Sequence, residues 1–212
     1  TSFCQTWQGS SERFYQEGSS MNTAFIIGNG TSRKGFDLTR LKPYGTVFGC
    51  NALYRDFPDY SLPDFLVSID DGIITEIEHS DFPSKRFIVP PIDERWEPAE
   101  CNIGRPRSNA GMNAMREAIK MEYNQLICLG FDFLIQDDKQ LLSNMYDGTQ
   151  NYGPSTRANA ADNPGRVNYL QWLVAKNPEV DFIFIFPDDC TVTSLRGGNV
   201  FINTYENLVK NT

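Results

Sequence analysis

The stretch Ala24-Phe25-Ile26-Ile27-Gly28-Asn29-Gly30-Thr31-Ser32 constrains this chain more than any other. Four apolar residues running straight into a Gly-Asn-Gly turn suit a strand covered on both faces, as in a parallel sheet. The two glycines permit a sharp turn and close backbone approach. Thr31 or Ser32 is placed to cap a following short helix, whose free N–H groups favour an anion. A Gly-rich strand end is also an ordinary turn, so the rest of the chain has to choose between a phosphate cradle and a bend.

Similar apolar runs recur. Residues 46–49 lead to Cys50-Asn51, residues 65–69 end at Asp70-Asp71-Gly72, and residues 86–89 stop at Pro90-Pro91. Residues 125–129 end at Gly130-Phe131-Asp132-Phe133, and 181–186 form another such run. Between them lie a short helical turn at 36–41, a helix around Ile73, Ile74 and Ile77, and the clearest helix, 109–122, capped by Ser108 or Asn109. A further helix spans 167–176 and stops at Pro178. Residues 91–108 read as a long loop, and residues 187–212 read as a short tail. Residues 136–165 show no apolar periodicity and are rich in Asn, Asp, Gly, Pro and Tyr; a loop that long in a compact domain is functional or disordered.

This alternation predicts an α/β fold: a Rossmann-like parallel sheet with helices on both faces, one domain over 21–212, and a lid insertion at 136–165. Residues 1–20 are polar and Ser/Gly-rich, expected to be a flexible arm or translated upstream sequence. Met21 would then be the natural start, since Gln16-Glu17-Gly18 is compatible with a purine-rich ribosome-binding site in the codons. Ligands of such sheets sit at the carboxyl ends of strands, where residues 28–32, Cys50-Asn51, Asp70-Asp71 and 130–132 would converge.

The net charge of −8 argues against binding a nucleic-acid backbone. No apolar run is long enough for a membrane span, and no secretory signal is recognisable. The five cysteines are scattered singly, with no metal-ligand or disulfide spacing, which fits a reducing, cytoplasmic setting. Nothing in the sequence decides the oligomeric state.

The motifs and their spacing resemble the bacterial lipooligosaccharide sialyltransferase family, which transfers sialic acid from its cytidine-monophosphate donor. Residues 28–32 resemble the family's Gly-Asn-Gly-Pro-Ser; Asp37, Arg40 and Leu41 come after them as its Asp and Arg-Leu do. Gly49-Cys50-Asn51 with Tyr54 resembles its Arg-Cys-Asn and Tyr. Arg107 to Gly111 resembles Arg-x-x-Ser-Gly, and Gly130 to Phe133 resembles Gly-Ile-Asp-Phe. The likeness covers roughly residues 22–187. It implies that Gly28, Asn29, Gly30 and Ser32 face phosphate or cytidine, that Asn51 bonds nucleotide or sugar, and that Gly111 allows close backbone approach. It further implies that Arg107 neutralises charge, that Asp132 occupies a fixed position, and that the ligands are a CMP-linked sugar donor and a glycan or small-molecule acceptor, with no other cofactor.

The departures are specific. The family's lid histidine has no counterpart, because the one histidine, His79, comes after the third strand and reads as a surface residue. Leu134 and Ala110 replace a family Tyr and Ser. Tyr146 and Tyr152 in the lid offer phenolic groups instead, and Arg157 and Arg166 offer positive charge or pair with acidic neighbours. Asp70 could take an acceptor hydroxyl proton, and Asp70 with Asp71 could hold Mg²⁺ or Mn²⁺ against a diphosphate. Asp132 is the other candidate carboxylate. Three functions therefore stand: a sialyltransferase-like glycosyltransferase, a non-catalytic nucleotide-binding protein, and a pterin diphosphokinase-like enzyme.

Overall fold

In a computed structural model, residues 22–97, 100–101, 104–136, 144–153 and 160–212 are described. Seven strands form one parallel sheet: β1 (Thr23–Ile27), β2 (Thr46–Cys50), β3 (Phe65–Val67), β4 (Phe87–Ile88), β5 (Gln125–Leu129), β6 (Asp181–Phe186) and β7 (Val200–Thr204). Their order is β4-β3-β2-β1-β5-β6-β7. The chain thus builds outward from β1 to one edge, returns to the other side of β1 as β5, and builds to the opposite edge. The reversal between β1 and β5 opens a crevice at their carboxyl ends, the usual ligand position in such sheets.

Alternation along each strand divides the core between the two faces. Ala24, Ile26, Phe48, Cys128, Phe182 and Phe184 pack against Met112, Met115 and Ala118 of α3 (Ala110–Lys120) and Tyr169, Leu170 and Leu173 of α4 (Asn163–Lys176). Phe25, Ile27, Val47, Ile127 and Leu129 face the other way. They meet Ile73 and Ile77 of α1 (Asp71–Glu78) and Leu208 of α5 (Tyr205–Asn211). The expected Rossmann-like sheet, covered on both sides, is the observed fold.

Several expectations need correcting. The expected tail after residue 186 contains edge strand β7 and helix α5. Its signal was weak because most β7 residues are only half-buried and α5 buries only Leu208, so neither carries a strong apolar pattern. The expected loop at 91–108 contains the one-turn helix α2 (Ile92–Arg95). Helix α4 starts at Asn163, inside the expected lid, with Pro164 in its first turn. Of that lid, residues 137–143 and 154–159, Arg157 among them, lie outside the described residues, as do residues 1–20 and Met21. Residues 144–153 dock on the domain: Met145 N–H donates to Asn29 O (2.8 Å), and Asn151 Nδ2 donates to Glu76 (2.7 Å). No helix among the described residues is long and apolar enough to cross a membrane.

Candidate functional site

The ends of β1 and β5 are fused by backbone contacts. Gly28 N–H donates to Leu129 O (2.7 Å) and Gly30 N–H to Gly130 O (3.0 Å). A Cβ on Gly28 would stand 2.5 Å from Gly130 O, and Gly130 itself has φ +74°. These glycines are therefore required by the approach of two chain segments to each other. Gly28 and Gly30, which the resemblance places against phosphate or cytidine, have their N–H groups engaged by Leu129 and Gly130.

Ser32 differs likewise from expectation. Its N–H donates to Asp132 Oδ2 (2.9 Å) and its hydroxyl donates to Asp132 Oδ1; it neither caps the 3₁₀ turn Thr31–Arg33 nor lines the cleft. Asp132 does line the cleft, yet its carboxylate clamps this turn. Burial raises its pKa, while the Ser32 hydrogen bonds oppose the rise.

The cleft, about 420 Å³ in volume, opens at this junction. That is within the roughly 300–1,000 Å³ usual for small-molecule sites. Asn29 projects from the turn, and its Nδ2 donates to Cys50 O (3.3 Å) and Tyr152 OH (3.3 Å). At the end of β2, Asn51 adopts φ +51°, a left-handed conformation that asparagine tolerates better than most residues. Its Oδ1 accepts from Ser68 Oγ (2.8 Å) and its Nδ2 donates to Asp70 Oδ2 (2.7 Å). Asp70, the residue before α1, is thereby held on the cleft wall. Burial raises its pKa against the lowering effect of the Asn51 hydrogen bond, and nearby Asp71 adds to the rise. Asp71 diverges: its side chain is 92% exposed, pairs with Arg95 (3.3 Å) and is absent from the cleft lining. Of the two carboxylates that could hold a metal, only Asp70 lines the cleft. Cys50 is buried against Ile27 O (3.1 Å), and burial pushes its thiol up to about 12, which leaves it inert.

Further lining comes from the first residues of α3 and α4 and the chain before them. Asn109 caps α3 by accepting from Met112 N–H (2.9 Å), and Ala110 and Gly111 line the cleft. A Cβ on Gly111 would stand 2.9 Å from the Phe131 ring, so its smallness lets α3 lie against that ring. Arg107 stacks over Trp96, 4.8 Å from the ring centroid, and pairs with Glu97 at 3.4 Å. Arg166 donates to Asn163 Oδ1 (2.6 Å) and pairs with Asp162 at 3.6 Å. Burial and the positive charge of Arg107 lower its pKa, while Asp162 opposes them.

Of the remaining candidates, Tyr152 lines the cleft, and burial raises its phenol pKa. Tyr146 does not line it. Its hydroxyl donates to Asp56 (2.9 Å) and accepts from Arg33 (3.1 Å) behind the turn, in the core. His79 is an exposed residue at the far end of α1, its Nδ1 2.6 Å from Thr75 O. Sequence reasoning missed Arg33 and Asn163. Arg33 is buried and donates to Gly28 O (2.8 Å); nothing in its local sequence announces a partner 23 residues away at Asp56. Asn163-Pro164 was a legible signal, since Pro favours the first helical turn.

Compared with family models, curated proteins and solved structures, the chain matches none.

Proposed function

We propose that the cleft binds a nucleotide-linked sugar and that the protein is a glycosyltransferase-like enzyme, similar to CMP-sialic-acid-dependent transferases. The observation that carries this reading is a cleft at the β1/β5 reversal whose wall holds buried polar atoms without partners among the described residues: Asn29 Oδ1, Arg107 Nε and Asn163 Nδ2. Buried polar groups are normally satisfied, so such atoms call for an outside partner. Trp96, Phe131 and Phe133 provide apolar and aromatic surface for a base or sugar ring.

In this reading the positive wall stabilises the phosphate as the glycosidic bond loosens. Asp70 receives the proton of the acceptor hydroxyl, and its raised pKa makes it a stronger base than an exposed aspartate. Asn51 holds it in place. The acceptor is a glycan or a small molecule. Cys50 and Cys128 are buried thiols, in keeping with a reducing cytoplasmic setting.

Thermal-shift binding with CMP, UDP, GDP and ATP, each with and without Mg²⁺, tests the proposal, because a ligand of the folded state raises Tm by mass action. Metal-independent stabilisation by CMP is expected, followed by hydrolysis of a CMP-linked sugar. Stabilisation that needs Mg²⁺ would transfer the case to diphosphate chemistry. Nucleotide binding with no turnover of any donor would leave a binding protein. No shift with any nucleotide would remove the proposal.

A further inference from the structure

We infer that the wall built from Arg107, Asn163 and Arg166 holds an oxyanion of the cleft's ligand, phosphate or carboxylate, with the ligand's hydrogen-bond donors against Asn29 and Asp70. The inference rests on the proposed nucleotide reading for the ligand's identity, not for the anion's position.

Asn163 is the first residue of α4, lines the cleft and is only 8% exposed. Its Oδ1 accepts from Arg166 Nη1 at 2.6 Å. A guanidinium has donors only, so flipping the amide would set donor against donor; its orientation is fixed. Nδ2 is then a buried donor with no acceptor among the described residues. Arg107 Nε is a second such donor, on a guanidinium stacked on Trp96. Both groups lie where α3 and α4 begin, at the positive ends of two helix dipoles. Glu97, the carboxylate paired with Arg107, is 68% exposed and compensates that charge only weakly; Asp70 also feels the Arg107 charge, and Asp162 pairs with Arg166 at 3.6 Å. Two unmet donors beside two cations call for an oxygen-rich anionic group.

The Gly-rich turn offers the reverse. The N–H groups of Gly28, Gly30 and Ser32 are engaged by Leu129, Gly130 and Asp132. Asn29 presents an acceptor there: its Nδ2 is taken by Cys50 O and Tyr152 OH, and its buried Oδ1 has no donor among the described residues. The Asp70 carboxylate is a further acceptor on that side. A ligand hydroxyl or amine belongs there.

The test is a thermal-shift titration of the full chain with inorganic phosphate, acetate and CMP at constant ionic strength. Asn163→Asp removes the Nδ2 donor while keeping an acceptor for Arg166, and an acid suits a helix N-terminus. Arg107→Lys removes the Nε–H but keeps the charge, and serves if the first variant does not fold. Asn168→Asp adds the same charge to α4 away from the cleft. Phosphate or acetate is expected to raise Tm, with apparent affinity at least about tenfold weaker in Asn163→Asp or Arg107→Lys and within about twofold in Asn168→Asp. A response to phosphate alone identifies a phosphate site; a response to acetate alone identifies a carboxylate site. Ion affinity unchanged in the cleft variants, or no ion response at all, overturns the inference. CMP binding that persists without any ion response would leave the nucleotide reading standing alone. An Asn163-dependent ion response without CMP binding would do the converse.

Discussion

Two polar clusters flank the end of β1, and they are built in opposite ways. Behind the turn, Arg33, Asp56 and Tyr146 interlock, and Arg33 also grips the Gly28 carbonyl. In front, Arg107 Nε and Asn163 Nδ2 are buried without partners among the described residues. Both clusters contain arginine. The satisfied cluster holds the fold; the unsatisfied one has chemistry left over for a ligand. Polar residue type does not separate the two roles, whereas completeness of hydrogen bonding does.

The contrast breaks most readily at Arg33. Arg33→Ala should cost about 3 kcal/mol in urea unfolding, because it leaves the Gly28 carbonyl and Tyr146 hydroxyl without their donor and Asp56 without its cation. A loss below about 1 kcal/mol would mean that the rear cluster is not structural. Gly28→Ala should come next, at about 2 kcal/mol in the same measurement, since its methyl would press on Gly130 O. Stability close to wild type there would show that the turn can widen.

The cleft side should respond in binding more than in folding. Asn51→Gly keeps the positive φ without strain but removes the support of Asp70, so CMP affinity should fall about tenfold, roughly 1.4 kcal/mol. Unchanged affinity by calorimetry would take Asn51 out of the site. The smallest effect on stability concerns Asp70. Its folded-state pKa is raised, so the folded protein holds this proton more tightly than the unfolded chain. The associated stability is present below the unfolded carboxylate pKa and is lost as pH rises through the folded one. Asp70→Asn should therefore be more stable than wild type near neutral pH and lose that advantage in acid. Denaturation midpoints at pH 4 and pH 7 check this; an equal difference at both would mean that Asp70 is not the titrating group. The same variant should abolish any transfer activity.

The sheet was legible because its strands are short apolar runs ending in turn residues, and parallel strands buried on both faces need little else. β7 and α5 were not legible, since an edge strand and a helix with one buried residue leave faint patterns. Within the site, Asn29, Asn51, Asp70, Arg107 and Gly111 were expected on the cleft and lie on it. Ser32 and Tyr146 were expected there and do not. Both make hydrogen bonds to partners 90 or more residues away, which local spacing does not encode.

The sequence by itself determined the alternation of strands and helices, and hence which strand ends are polar, because periodicity and turn chemistry act over a few residues. Only the tertiary structure decided which polar groups at those ends are already satisfied. The Gly28 and Gly30 N–H groups go to Leu129 and Gly130, while among the described residues Asn163 Nδ2 and Arg107 Nε are left over. Hydrogen bonding is settled by which distant segments meet, and among the described residues they leave two donors and one acceptor unmet at this cleft.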